Sequence, residues 1–204
     1  MSFGVCAAHR CGKSTLAKRL SEDMGFHFFE ASFGAIAKDL GWASAVDKMT
    51  LTERMAMQEA VLDEYVRRLY LAPRPFITDR TPLDMIGYTL GEVTMNGAMD
   101  EVLSLRINAY VTRCVHVARS QFDAMILLRP LPFYEVEVGK PPLNIAYQTA
   151  VQFIIEGAFE RVNDQVEGLV ITADDFEQRV EAATDFLSKR CDILEVARAQ
   201  ACLN

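Results

Sequence analysis

Short apolar runs alternate along the chain with longer segments whose apolar residues recur at helical spacing. Continuous apolar runs indicate buried strands, and apolar residues three or four positions apart indicate amphipathic helices. We predict strands over 2–8, 26–30, 76–78, 122–128 and 169–172. We predict helices over 15–24, 32–41, 50–71, 83–90, 98–120, 143–165 and 176–190, and the tail is a further candidate helix. Strands alternating with helices are typical of an α/β fold with a mostly parallel sheet and helices on both faces.

Local signals at the ends of these segments refine the prediction. Gly25 follows the first helix and is expected to end it in a left-handed conformation. Thr50 or Thr52 is expected to cap the long third helix. The segment 129–142 holds four of the seven prolines, which predicts a lid loop within a single domain spanning 1–204.

Composition narrows the class of protein. The chain has 204 residues, of which 50% are apolar and 24% are charged, as in an ordinary globular domain. No apolar run approaches the ~18 residues of a membrane span, and basic residues follow the first apolar run, so we expect no membrane partner and no secretory signal. The five irregularly spaced cysteines predict reduced thiols in a cytoplasmic protein. The net charge of −7 disfavours general coating of nucleic acid but is compatible with a local basic groove.

The segment AAHRCGKST, Ala7–Thr15, carries the strongest chemical signal. It joins a predicted strand to a predicted helix and matches the phosphate-loop pattern G-x-x-x-x-G-K-[ST], with Ala7 in place of the first glycine. In such a loop, backbone N–H groups and a helix N-terminus bind phosphates. The candidate phosphate-binding residues are Ala8, His9, Arg10, Cys11, Gly12, Lys13, Ser14 and Thr15. The pattern assigns Lys13 to the β- and γ-phosphates of ATP and Ser14 to Mg²⁺.

A second polar group follows the third predicted strand. Asp79 and Arg80 stand at the carboxyl end of that strand, the side on which open α/β sheets bind ligands. Asp79 is a candidate Mg²⁺ ligand beside Ser14, or alternatively the base that accepts a proton from an attacking hydroxyl group. Arg80 is a candidate for binding phosphate through its two-pronged guanidinium. Glu30, at the end of the second strand, is the other candidate base.

Together, AAHRCGKST and DRTPLD resemble the phosphate loop and the acid–arginine motif of P-loop nucleoside and nucleoside monophosphate kinases. The resemblance covers nearly the whole chain and implies a three-layer P-loop sandwich with a five-stranded sheet. It also implies that 129–142 is the kinase lid, with Arg129 and Lys140 as its nucleotide-binding residues. ATP and Mg²⁺ are the implied cofactors. A homodimer is one of the oligomeric states that the sequence leaves open.

More narrowly, the chain resembles small kinases of tailed bacteriophages. This resemblance implies that the protein is located in the cytoplasm of a host cell. Two acceptors are then open: a deoxynucleoside monophosphate, or the hydroxymethyl group of 5-hydroxymethyldeoxyuridine in phage DNA, as in thymine hypermodification. Glu30 and a lid poor in arginine slightly favour the hydroxymethyl group, because a hydroxyl acceptor benefits from a base.

Two further interpretations remain. Arg67, Arg68 and Arg74 are candidate contacts to acceptor phosphate or to DNA. An ATP-hydrolysing switch is the alternative from another class of protein. It is disfavoured because Arg80 follows Asp79 at the position where such proteins often carry a glutamate.

Overall fold

A computed structural model describes residues 1–42, 49–95, 99–132 and 144–201. Its strands are β1 (Ser2–Cys6), β2 (His27–Phe28), β3 (Phe76–Thr78), β4 (Ala124–Leu128) and β5 (Glu167–Ile171). Its helices are α1 (Lys13–Met24), α2 (Phe33–Asp39), α3 (Leu51–Leu71), α4 (Pro82–Met95), α5 (Glu101–Gln121), α6 (Ile145–Val162) and α7 (Phe176–Ala201). The five strands form one parallel sheet in the order β2-β3-β1-β4-β5.

This strand order explains the layers. The chain crosses from β1 to β2 at the edge of the sheet, then reverses direction to β3 and continues past β1 to β4 and β5. Because parallel crossovers are right-handed, reversing direction moves the connecting helices to the other face of the sheet. Helix α1 accordingly packs against α7, while α4 packs against α5 and α6. The predicted three-layer P-loop sandwich with a five-stranded parallel sheet is confirmed.

Most predicted helix ends lie close to those observed. Gly25 ends α1 with φ 68°, and Thr50 begins α3 in a capping box with Glu53. Helix α7 runs on to Ala201, because the chain from 176 to 201 contains no glycine or proline that would stop it. The predicted lid, 129–142, falls mostly within 133–143, which lies outside the described residues.

Burial follows the same layers. Strands β1 and β4 are buried along their whole lengths, as expected of central strands covered by helices on both faces. Cys6, Cys11 and Cys114 are buried free thiols, and burial raises the pKa of each. Within the described ranges, no helix combines the length and apolar character needed to cross a bilayer.

Helices α4 and α6 pack unusually closely through a glycine. A β-carbon added to Gly87 would meet Ile155 Cγ1 at 2.5 Å, whereas one added to Gly157 on α6 meets nothing within 4 Å. We therefore expect Gly87→Ala to lower the free energy of unfolding by about 1–3 kcal/mol. Gly157→Ala, the matched control, is expected to raise it by about 0.5–1 kcal/mol, since alanine is the better helix former. Urea unfolding of both variants measures these changes, and equal effects would contradict the packing described.

Candidate active site

The phosphate loop connects β1 to α1 at the carboxyl edge of the sheet. Its left-handed residues are Arg10 with φ 60° and Gly12 with φ 82°. Ala7 is fully buried and does not have a positive φ, so the loop accommodates alanine where the pattern has its first glycine. Gly12 precedes α1 and has no side chain to cap it, which leaves the N–H groups of the first turn facing the loop. Thr15 lies exposed in that turn.

Side chains from α6 and α7 hold the backbone of this loop. The N–H of Ala8 donates to Gln152 Oε1 at 2.9 Å, and Gln148 Nε2 donates to the carbonyl of His9 at 2.7 Å. Arg179 Nη1 donates to the carbonyl of Cys11 at 2.8 Å. The loop is thus fixed by three distant side chains, although the bond to Gln152 engages the Ala8 N–H that was predicted to bind phosphate.

The side chain of Lys13 is buried against the phosphate loop, which directly precedes Lys13 in the chain. Its Nζ donates to the carbonyls of Ala7 and Ala8, both at 2.6 Å, and lies 3.4 Å from Asp84 Oδ1. Burial lowers the pKa of Lys13, and the Asp84 carboxylate opposes this shift. The ammonium group is therefore held by the two loop carbonyls, and the nearby carboxylate of Asp84 compensates its positive charge.

A hydrogen bond joins Ser14, in the first turn of α1, to Asp79, directly after β3. The Ser14 hydroxyl donates to Asp79 Oδ2, and Asp79 itself is buried. Hydroxyl and carboxylate oxygens are the ligands that Mg²⁺ prefers, and a pair in direct contact can bind one ion between them. The chemistry of this pair therefore fits the metal role predicted for both residues.

Arg80 is held at the same edge by groups on α4. Its side chain is hydrogen-bonded to Tyr88, and the carboxylates of Asp84 and Asp79 lie nearby. Burial lowers the pKa of Arg80, but the interactions with Asp84, Tyr88 and Asp79 outweigh burial and raise this pKa above its usual value. The guanidinium is consequently kept charged and close to the loop.

His9 joins two tyrosines in a polar aromatic cluster beside Arg80. The His9 ring centroid lies 6.5 Å from that of Tyr88 on α4 and 6.1 Å from that of Tyr147 on α6. Burial lowers the pKa of His9, and the charges of Lys13, Arg10 and Arg80 lower it further. The imidazole is therefore favoured in its neutral form, which can accept or donate a hydrogen bond.

Glu30 is exposed two residues beyond β2. Phe28 pairs with Ile77, and the N–H of Phe29 donates to the Ile77 carbonyl at 2.9 Å. This parallel ladder, extended past the last paired residues, leads Glu30 to the same edge of the sheet as Asp79. Both candidate bases, Glu30 and Asp79, therefore lie at the carboxyl edge of the sheet.

The other predicted basic residues are engaged elsewhere. Arg129 Nη1 binds both oxygens of Glu156, at 2.7 and 2.8 Å, and Lys140 lies outside the described residues. Arg67 and Arg68 both bind Glu64, and Arg74 binds Ser2 at the opposite end of the sheet from the phosphate loop. Among the described basic residues that were predicted to bind phosphate, Lys13 and Arg80 thus lie beside the phosphate loop, which itself contains Arg10.

Four residues that build the site were not predicted from the sequence: Asp84, Gln148, Gln152 and Arg179. Asp84 had a detectable signal, because Thr81 and Asp84 have the spacing of a capping box. The N–H and hydroxyl of Thr81 both donate to Asp84 Oδ2 at 2.8 Å. The two glutamines and Arg179 had no such signal, because they lie far along the chain from the loop they contact.

Arg179 is buried and binds three carbonyls from three segments. Nε donates to Ala173 at 2.6 Å, Nη1 to Cys11 at 2.8 Å and Nη2 to Arg129 at 3.0 Å. We expect Arg179→Met to lower the free energy of unfolding by about 3 kcal/mol, because it removes three hydrogen bonds, of which the one to Cys11 is buried and the other two are partly buried. Urea unfolding measures the loss, with Arg198→Met on the exposed part of the same helix as control. Equal stability of the two variants would contradict this role.

The parallel sheet and the loop after β1, with Lys13 and the Ser14–Asp79 pair, define a P-loop protein with the fold of the nucleotide kinases. A protein family described as the AAA domain matches residues 8–179. The chain belongs to this family. No curated protein matches the sequence.

Solved structures of other nucleotide-bound proteins share the fold. A deoxyadenosine kinase from M. mycoides with bound dCTP has a TM-score of 0.63 at 17% identity, covering 93% of this chain and all of that one. The same kinase with the products dCMP and a flexible dCDP has a TM-score of 0.65 at 19% identity, covering 93% of this chain and 99% of the other. The YorR protein from Bacillus subtilis, in complex with phosphorylated GDP, has a TM-score of 0.53 at 10% identity, covering 98% of both chains. At these identities the likeness shows the shared fold.

Proposed function

We propose that this protein is a kinase that transfers the γ-phosphoryl group of ATP to a hydroxyl group of a deoxynucleoside-type acceptor. The observation that carries the proposal is the convergence of Lys13, Arg80 and the Ser14–Asp79 pair on a phosphate loop at one edge of the sheet. Phosphoryl transfer requires positioning and positive charge more than covalent chemistry, and this edge supplies both.

Each group has a role in this scheme. The N–H groups of the loop and of the first turn of α1 bind the donor phosphates. The Lys13 ammonium, released from the carbonyls of Ala7 and Ala8, stabilises the negative charge on the transferred group. Ser14 and Asp79 would hold Mg²⁺, which neutralises phosphate charge when it is bound. Arg80 binds a phosphate or orients the acceptor from the side of α4.

Glu30 is the better candidate for the base. The Asp79 carboxylate is engaged with the Ser14 hydroxyl, whereas Glu30 is exposed at the same edge. In transfer, the acceptor oxygen bonds to the γ-phosphorus while the bond from this phosphorus to the β,γ-bridging oxygen breaks. The hydroxyl proton passes to the Glu30 carboxylate, and ADP leaves.

Two features support a hydroxyl acceptor of small size. The structural neighbours include a deoxyadenosine kinase, and deoxyadenosine carries hydroxyl groups but no phosphate. Arg67, Arg68 and Arg74, the candidate contacts to DNA, instead bind Glu64 and Ser2. We therefore propose a free deoxynucleoside as the first candidate for the acceptor. The hydroxymethyl group of 5-hydroxymethyldeoxyuridine in DNA is the second candidate, because it also needs the base that Glu30 offers.

The acceptor is tested with γ-labelled ATP. Separate reactions contain deoxynucleosides, deoxynucleoside monophosphates, DNA with 5-hydroxymethyluracil, and the same DNA with thymine as control. We expect label in the deoxynucleosides. Label confined to the DNA with 5-hydroxymethyluracil would move the acceptor to a base in DNA, and label confined to the monophosphates would contradict a hydroxyl acceptor.

A further inference from the structure

A groove lies between helices α5 and α6, far from the phosphate loop. Its lining comes from the carboxyl-terminal half of α5 and from the end of α6 with the turn that follows. The lining residues used below are Val115, His116, Arg119, Ser120, Arg161 and Gln165. Ser120 lies shortly before β4 and Gln165 shortly before β5, whereas the phosphate loop follows the carboxyl end of β1. This α5–α6 groove is therefore at the opposite edge of the sheet from the candidate active site.

The α5–α6 groove carries more positive than negative charge. Arg119 is paired with Asp164, and Nη2 lies 2.9 Å from Asp164 Oδ1. Arg161, the second arginine of the lining, is exposed and has no carboxylate partner within the part of the chain that the structure describes. On a protein with a net charge of −7, such a local excess of positive charge favours an anionic ligand at this place.

Arg119 is fixed in place but has an unused donor. Its Nη2 also donates to the carbonyl of Arg161 at 2.6 Å, which ties α5 to the end of α6. Its Nε is buried and has no hydrogen-bond acceptor among the described residues. A buried donor without an acceptor costs free energy, and the cost is larger when the donor is charged. The guanidinium is thus preorganised on the wall of the groove and lacks an acceptor.

We propose that the α5–α6 groove binds the phosphate group of a small phosphate ester through Arg119 and Arg161. Guanidinium groups bind phosphate oxygens in pairs, and His116, Ser120 and Gln165 offer further polar groups around the same space. The volume of about 390 Å³ is in the range of small-molecule sites, and buried Val115 supplies an apolar wall for the organic part of the ester. The proposal is independent of the proposed function, because the groove shares no residue with the candidate active site.

The three histidines of the chain allow binding at the groove to be observed separately from binding at the phosphate loop. His116 lines the groove, His9 lies in the phosphate loop and His27 begins β2. Ribose 5-phosphate is titrated into the protein at constant pH and ionic strength, and the histidine ring resonances are followed by NMR, with His116→Gln and His9→Gln for assignment. We expect a saturable shift of the His116 resonances with a Kd of about 1 mM or lower. Ribose, which lacks the phosphate, should produce no shift.

Arg161→Gln is the decisive variant, because the exposed side chain can be changed without removing a bond that Arg119 makes. We expect it to raise the Kd at least about tenfold, the loss of one charge-assisted hydrogen bond. Arg198→Gln, on the exposed end of α7, is the control and should leave the Kd unchanged.

Inorganic phosphate is titrated in a separate arm to distinguish the two sources of a phosphate group. Weaker binding than that of ribose 5-phosphate would identify the ester as the ligand, and an equal Kd would identify the free ion; both results support a phosphate site in the groove. His116 resonances that do not shift, or an unchanged Kd in Arg161→Gln, would overturn the proposal. A shift confined to His9 would overturn it as well, since the phosphate would then bind only at the phosphate loop.

Discussion

Lys13→Ala is expected to lower the rate of phosphoryl transfer by about 10²–10³-fold, the loss typical of removing one preorganised group that stabilises transition-state charge. Lys13 lies buried between the carbonyls of Ala7 and Ala8, at the place where the loop would bind phosphates. To contact the transferred group, the ammonium has to leave these two carbonyls, which lie in the loop itself. Initial rates with labelled ATP at saturating acceptor measure the effect.

Two further variants make this result interpretable. Lys18→Ala removes an exposed lysine from the same helix and should leave the rate unchanged. Lys13→Ala also removes one of the two cations near the buried carboxylate of Asp84 and leaves Arg80 as the other, which is expected to destabilise the fold. The double variant Lys13→Ala/Asp84→Asn removes that charge and should be as slow as the single variant. A rate within threefold of native for the double variant would refute the role of Lys13.

Glu30→Gln is expected to reduce transfer to a hydroxyl acceptor by about 10²–10⁴-fold, the usual contribution of a positioned base. The amide has nearly the same shape as the carboxylate but cannot take the proton. Initial rates with labelled ATP and a saturating hydroxyl acceptor provide the measurement.

Glu22→Gln is the matched control, because Glu22 is an exposed glutamate on α1. It should retain the native rate. If Glu30→Gln also retained the native rate, Glu30 would not be the base, and Asp79 would become the candidate. Asp79→Asn would then have to show the loss of rate.

The features that sequence predicted best depend on local chemistry. The boundaries of β3 were predicted correctly, because Phe76, Ile77 and Thr78 stand between prolines and a polar motif. The phosphate loop was located by the spacing of a few consecutive residues. Strand β2 was predicted too long, at 26–30 instead of His27–Phe28. It is an edge strand that pairs only with the short β3, so its partner limits its length.

The parts of the site that sequence missed depend on tertiary contacts. Asp84 reaches Lys13, and Arg179 reaches Cys11, only after helices far apart in the chain have packed around the loop. The left-handed conformation of Arg10 was also invisible, because the motif allows any residue at that position. Sequence thus located the phosphate loop, but it did not predict which distant side chains hold the loop in place.

The most direct test of the central claim is whether ADP formation depends on an acceptor. The protein is incubated with γ-labelled ATP and Mg²⁺, with and without a mixture of deoxynucleosides, and ADP, labelled acceptor and inorganic phosphate are quantified together. A kinase predicts ADP and labelled acceptor in equal amounts, with little of either product when the acceptor is omitted. Equal ADP formation in both reactions, with all the label in inorganic phosphate, would identify an ATP-hydrolysing protein and contradict this account.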